Sequence, residues 1–246
     1  MFEDIKKGHH FATEDGVYLE NRRKFADDIG LPDLYSIVDQ NGLYAGGQTI
    51  AKQLAIYEII KETADIPGDI YEFGCWYGAN LMYMAKVFKL LRSQSFKRIF
   101  GFDSFEGLQT FDAVDDQDVP SIRGAYCGNE AVLRKAIKLF GMEEQVHLVA
   151  GDAIETIPQF ENEFPYATVS FAYIDFDLYE PCKAALTFLA NRLSPGGIVA
   201  FDEALLDFWP GESIAMREFV EENTHTKFTF HASSYARQPT MWLKKC

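Results

Sequence analysis

The sequence of 246 residues lacks any apolar run close to the ~20 residues that a membrane-spanning helix needs. It has four cysteines, Cys75, Cys127, Cys182 and Cys246, far apart and without a CxxC pair. That excludes the usual zinc spacing and offers no disulfide framework. There is no GK[ST] phosphate loop, which disfavours a bound triphosphate, and no GxGxxG, which makes a nicotinamide-dependent reductase the least favoured enzyme. Cations are scarce: 23 Lys and Arg stand against 37 Asp and Glu, a net charge of -14. A field of that sign repels polyphosphate and anionic lipid, so neither nucleic acid nor a membrane is an expected partner. The segment Met1 to Lys7 lacks the basic-then-apolar layout of a signal peptide, and a reducing cytoplasm is the expected location. Repeats and low-complexity runs are absent.

What is present is an ordinary globular composition, 48% hydrophobic and 24% charged, which is enough to build one large core. Residues 1–47 are polar, broken by glycine and dotted with Phe11, Tyr18, Phe25, Tyr35 and Tyr44, and read as an N-terminal helical arm or lid. Residues 48–246 alternate between periods. Helices are expected over 51–64, 80–91, 129–140, 181–193 and 213–222. Strands are expected over 70–73, 98–102, 146–150, 169–174, 198–201, 228–230 and 241–243. Asn129 is placed to cap one helix and Pro181 to sit in the first turn of another. Pro195-Gly196-Gly197 reads as a turn. Alternating strands and helices specify a doubly wound, seven-stranded, mostly parallel α/β sheet, and the last two strands have no room for a helix between them, so they form an antiparallel edge.

In such sheets ligands bind beyond the carboxyl ends of the strands. The informative residues fall there. Strand one ends in Glu72-Phe73-Gly74-Cys75-Trp76-Tyr77-Gly78, where Gly74 permits a sharp turn. Strand two ends at Asp103, whose two oxygens can accept both hydroxyls of a ribose, and strand three at Gly151-Asp152-Ala153, where an acid can accept an adenine amino group. Strand four ends in Asp175-Phe176-Asp177 and strand five in Asp202-Glu203. Acids gathered at one rim repel one another unless a cation joins them. Oxygen ligands without Cys or His suit Mg²⁺, Ca²⁺ or Mn²⁺, which would orient and acidify a substrate hydroxyl. The bland alternative, acids that only cap helices, accounts for one or two of them.

From about Gln48 onward the chain resembles class I S-adenosylmethionine-dependent methyltransferases, and among them the macrocin O-methyltransferase family of metal-dependent sugar O-methyltransferases. The resemblance rests on Pro67 to Gly78, Asp103-Ser104-Phe105-Glu106-Gly107-Leu108, Gly151-Asp152 through Pro158, Ile174 to Glu180, and Leu193-Ser194-Pro195-Gly196-Gly197 through Glu203. It implies S-adenosylmethionine held over Glu72, Gly74, Cys75, Asp103, Ser104, Asp152 and Ala153. It implies Mg²⁺ on Asp175, Asp202 and Glu203, and Asp175 as the general base. The chain departs from the family pattern in having Glu203 where a second Asp is usual, and in the segment before Tyr77, near which the family often has Arg.

The implied activity is O-methylation of a sugar-containing or other polyhydroxyl small molecule in natural-product or glycan biosynthesis. A catechol or phenol acceptor would suit the same metal, and a non-catalytic cofactor-binding protein would keep the same fold. Acceptor recognition is expected from three segments: the arm, the acidic loop 109–128, and 204–213 with Phe208-Trp209-Pro210. Asp112, Asp115, Asp116 and Asp118 read as solvated loop acids, and Arg217 and Arg237 as surface residues able to face a phosphate. His147 and His231 read as strand residues, while His9 and His10 fall in the arm. A homo-oligomer is compatible with the aromatic arm.

Overall fold

The structure, a computed structural model, describes residues 34–115 and 122–246. Residues 1–33 lie outside it, and with them His9, His10, Phe11, Tyr18 and Phe25 of the expected arm; Asp116 and Asp118 of the acidic loop lie outside it too. The described part of the arm is helical: α1 (Leu34–Asp39), α2 (Asn41–Tyr44), and then α3 (Gly47–Thr63), which begins four residues earlier than its periodicity suggests.

The remaining elements are β1 (Asp69–Phe73), α4 (Ala79–Leu91), β2 (Ile99–Asp103), α5 (Glu130–Leu139), β3 (Val146–Ala150), α6 (Ala153–Glu163), β4 (Val169–Ile174), α7 (Tyr179–Ala190), β5 (Leu193–Phe201), α8 (Pro210–Glu222), β6 (Phe228–His231) and β7 (Met241–Lys245). The strands form one seven-stranded sheet in the order β3-β2-β1-β4-β5-β7-β6. β1 to β5 pair in parallel, while β7 is antiparallel to both β5 and β6. No helix among the described residues is long and apolar enough to cross a membrane.

Several local signals act as read. The Asn129 side chain accepts the Val132 N–H at 3.1 Å and caps α5, and His147 and His231 are strand residues. Three readings are corrected. Helix α6 carries Pro158 inside it, which hid its periodicity; Asp152 starts it by accepting the Ile154 N–H at 3.0 Å. Helix α7 stops at Ala190 rather than Leu193. Leu193 already pairs with Val169, and β5 runs through the Pro-Gly-Gly segment with a register shift, because Gly196 takes φ +80° and Ser194 Oγ bonds Pro67 O at 2.7 Å. On α3 the buried stripe is Ala55, Ile56, Ile59, Ile60 and Thr63, while Leu54 is exposed.

Strand alternation divides the core between the two faces of the sheet. Tyr71, Phe73, Phe100, Phe102 and Phe201 pack with Phe160 of α6 and Phe188 of α7. The rings of Tyr71 and Phe100 stack at 5.1 Å, and those of Phe73 and Phe102 at 5.0 Å. The other face packs Ile70, Phe171, Tyr173, Ile198 and Ala200 against Ile56, Ile59 and Ile60 of α3 and Leu81 and Phe88 of α4. The same parity carries Glu72, Tyr173 and Asp202 to the α3 side. This is the step that builds the site.

Strand order reverses between β1 and β4, and the carboxyl ends of β1, β4 and β5 meet there. The Asp175 N–H bonds Phe73 O at 2.7 Å and the Asp202 N–H bonds Ile174 O at 2.9 Å, extending the ladder into the rim. Gly74 sits at φ +95°, and a Cβ on it would lie 1.9 Å from Asp175 O. Gly74→Ala is therefore expected to cost about 3 kcal/mol or more through clash and backbone strain. Gly141→Ala, at φ +59° with nothing within 4 Å of the added carbon, should cost only about 1 kcal/mol. Urea unfolding of both variants checks this; equal losses would mean that the close approach at the switch point does not govern stability.

Candidate active site

One cavity of roughly 1210 Å³ opens at this switch point. Its lining includes every residue expected from the sequence to hold the cofactor or the metal: Glu72, Gly74, Cys75, Asp103, Ser104, Asp152, Ala153, Asp175, Asp202 and Glu203. Volumes of this order hold a cofactor with a second small molecule beside it.

On the adenosine-type side the acids are partly engaged. Asp103 Oδ2 accepts the N–H groups of Cys75 at 2.6 Å and Trp76 at 2.7 Å, and its Oδ1 accepts that of Phe105 at 2.6 Å. The first two bonds tie the β1–α4 turn to β2 and the third closes the turn after β2; with three of roughly four lone-pair directions taken, it can offer one further bond rather than two to a ribose. Asp152 caps α6 and also takes the Thr110 hydroxyl at 3.3 Å. Glu72 is fully buried. Its Oε1 accepts Asn80 Nδ2 at 2.7 Å, while its Oε2 is buried without a partner. An orphaned carboxylate oxygen in a cavity wall is a receptor for a cationic or N–H donor group.

The other end of the cavity gathers Asp175, Asp177, Asp202 and Glu203. Into it runs a residue that sequence reading missed. Lys52, one turn before Ile56 on the buried stripe of α3, places Nζ 2.6 Å from Asp202 Oδ1 and 3.8 Å from Asp175 Oδ2. Burial opposes its charge, but the Asp202 and Asp175 carboxylates outweigh that and raise its pKa. The Tyr173 hydroxyl donates to Asp202 Oδ1 as well. Gln238, from the β6–β7 connection, donates from Nε2 to Asp202 Oδ2 at 2.6 Å and Glu203 Oε1 at 2.5 Å. A lysine on an otherwise apolar helix stripe was the signal available for Lys52; nothing local marks Gln238.

The oxygens expected to hold Mg²⁺ are of the right type, but as arranged they surround an ammonium and an amide. Among the described residues no group of three His, Cys, Asp or Glu is disposed to hold a metal ion. Behind the rim, Glu212 is wholly buried, and its Oε1 accepts the N–H groups of Glu203 at 3.0 Å and Ala204 at 2.9 Å, fixing the turn after β5.

The acidic loop needs a correction. Asp115 is buried rather than solvated; it accepts the Asp112 N–H at 2.8 Å and the Tyr179 N–H at 3.1 Å, which pins the loop to the start of α7. Arg237 lines the cavity and Arg217 is exposed. Aromatic side chains run along the mouth. Trp76 meets Tyr126 at 6.2 Å, Tyr126 meets Trp209 at 6.3 Å, and Trp209 meets Phe208 at 4.9 Å. Trp76 (φ 49°), Tyr126 (φ 58°) and Asp177 (φ 63°) all take left-handed backbone, a strain found chiefly where a side chain must point at a ligand.

A family model for macrocin-O-methyltransferase (TylF) matches residues 20–231, and the chain belongs to that family. The 8-demethyl-8-(2,3-dimethoxy-alpha-L-rhamnosyl)-tetracenomycin-C 4'-O-methyltransferase of Streptomyces olivaceus is 30% identical over 148 residues, 58% of this chain and 55% of the relative. The mycinamicin III 3''-O-methyltransferase of Micromonospora griseorubida is 26% identical over 168 residues, 64% of this chain and 60% of the relative. The matches thus span less than two thirds of the length of these two curated relatives. Over the fold the agreement is fuller. The crystal structure of CalS11, calicheamicin methyltransferase, superposes with a TM-score of 0.75 at 28% identity, covering 94% of this chain and 92% of that one.

Burial raises the pKa of several rim carboxyls. Glu72 is pushed to about 8 by burial, against the opposing pull of Asn80 and Lys52. Asp177 reaches about 8 through burial and then its neighbours Glu203 and Asp202, and Glu203 about 7 through burial and then Asp202. Such groups hold protons in the fold that the unfolded chain has already released. Through these three groups the stability of the ligand-free protein should therefore fall as pH rises from about 4.5 to about 8. Calorimetric melting across this range checks it. Glu72→Gln should give a shallower slope, and identical slopes in both proteins would remove Glu72 from the account.

Proposed function

We propose that the protein transfers a methyl group from S-adenosylmethionine to a hydroxyl of a sugar-containing small molecule. The observation that carries this reading is the cavity at the switch point, which joins Glu72 with its orphaned oxygen, the strand-end acids and a carboxylate rim in a member of this family. Glu72 Oε2 suits the ammonium of the cofactor's methionine portion, and Asp103, Ser104, Asp152 and Ala153 line the place for its adenosine. When bound, the cofactor supplies a methyl group already activated on a sulfonium.

The chain's own task is then alignment and proton removal. Holding an acceptor oxygen in line with that methyl can supply up to about 7–11 kcal/mol of the barrier. Asp175 opens partly to the cavity, and its pKa is raised by burial and by Asp202, which makes it a stronger proton acceptor than an ordinary carboxylate. The aromatic mouth, with Trp76, Tyr126 and Trp209 in the cavity wall, provides flat apolar surfaces for a sugar face or an attached ring. The named relatives act on a rhamnosylated tetracenomycin and on mycinamicin III, which supports a glycoside acceptor. Residues 48–246 are then the catalytic domain and 1–47 the N-terminal arm, of whose described residues Gly46 and Gly47 line the cavity. A divalent ion, expected on Asp175, Asp202 and Glu203, enters this scheme only through Lys52, as argued below.

Calorimetric titration with S-adenosylhomocysteine in EDTA is expected to give micromolar binding, and the absence of heat would withdraw the reading. Asp175→Asn should bind it equally while losing about 10²–10⁴-fold in kcat with radiolabelled S-adenosylmethionine and a panel of rhamnosides. Turnover of catechols but not glycosides would favour the phenolic acceptor instead.

A further inference from the structure

The carboxylate rim already contains a cation, and that cation is part of the chain. Lys52 Nζ lies 2.6 Å from Asp202 Oδ1 and 3.8 Å from Asp175 Oδ2, and 5.4 Å above the Tyr173 ring. The Asp202 oxygens are largely committed: Oδ1 faces Lys52 and the Tyr173 hydroxyl, and Oδ2 faces Gln238, which leaves about one lone-pair direction free. A divalent ion bridging Asp175 and Asp202 would have to occupy the space that the ammonium fills. Two cations that close, beside so few open oxygens, repel each other more than the rim can offset. The lysine, however, is a point charge on a flexible four-carbon stem and can withdraw, whereas a fixed guanidinium fork could not do so as readily.

We propose that Lys52 is the resident counter-ion of this rim and that a divalent cation binds between Asp175 and Asp202 only by displacing it. Lys52 then sets the affinity for the cation. It also links the rim to α3, whose first two turns, Gly47 to Gln53, contribute Gly47, Gln48, Thr49, Lys52 and Gln53 to the cavity wall. Displacing Lys52 releases one tie between that helix and β5. The proposal concerns cation binding alone, and it stands or falls independently of which group the enzyme transfers.

The test is titration of the full-length protein with Mn²⁺, followed by the paramagnetic signal of the free ion, in wild type, Lys52→Gln and Lys52→Arg. Lys52→Gln is expected to bind Mn²⁺ at least ten-fold more tightly than wild type, and Lys52→Arg no more tightly. Melting in EDTA supplies a second readout: Lys52→Gln should be less stable than wild type and should recover that loss on adding Mn²⁺ alone. If Lys52→Gln folds only when Mn²⁺ is present, the cation has replaced the ammonium and the proposal is upheld. Equal or weaker Mn²⁺ binding by folded Lys52→Gln overturns it, and so does a Lys52→Gln protein that stays unfolded in Mn²⁺.

Discussion

The structure depends on how the carboxylates at the sheet's switch point are kept together. Four acids, Asp175, Asp177, Asp202 and Glu203, are delivered to one rim by backbone ladders that leave them little freedom to separate. Their mutual repulsion is met by Lys52 from α3, by Gln238 from the β6–β7 connection and by the Tyr173 hydroxyl from the sheet itself. Burial and the neighbouring charges together push Asp177 and Glu203 towards neutrality. Remove the ammonium, and the rim must find a proton, a metal or a new geometry.

That arrangement explains why the packing around it is tight. Gly74 has no space for a side chain because Asp175 O lies against it, so the β1 turn and the β4 end approach as closely as backbone allows. Glu212, wholly buried, holds the turn after β5 through the Glu203 and Ala204 amides. Asp115 does the same for the start of α7. These acids serve the backbone, whereas Glu72, which lines the cavity, keeps a buried Oε2 that no protein donor meets. The division between acids that hold loops and acids left open is what gives the cavity two chemically different ends.

Much of this was legible in the chain. The β–α alternation specified the sheet, and its strand-end acids gathered into one cavity as their spacing implied. Helix α6 was missed because Pro158 interrupts its period, and β5 was read too short because Pro-Gly-Gly is ordinarily a turn. Asp103 was read as a free receptor, although three backbone amides already claim it. An isolated Asp after a strand carries no mark of whether a neighbouring loop will fold back onto it.

The sequence by itself determined the order of elements, the parity that sends Glu72, Tyr173 and Asp202 to one face, and the acidity of the rim, because periodicity and strand ends are local properties. Only the tertiary structure decided which of those acids face the cavity and which cation meets them. Lys52 and Asp202 are separated by most of the chain, and no local pattern connects them. Their meeting follows from α3 packing on β4 and β5, a consequence of burying Ile56, Ile59 and Ile60 against Phe171 and Ile198. Apolar packing, which has no electrostatic purpose of its own, places the ammonium that meets Asp202 and Asp175.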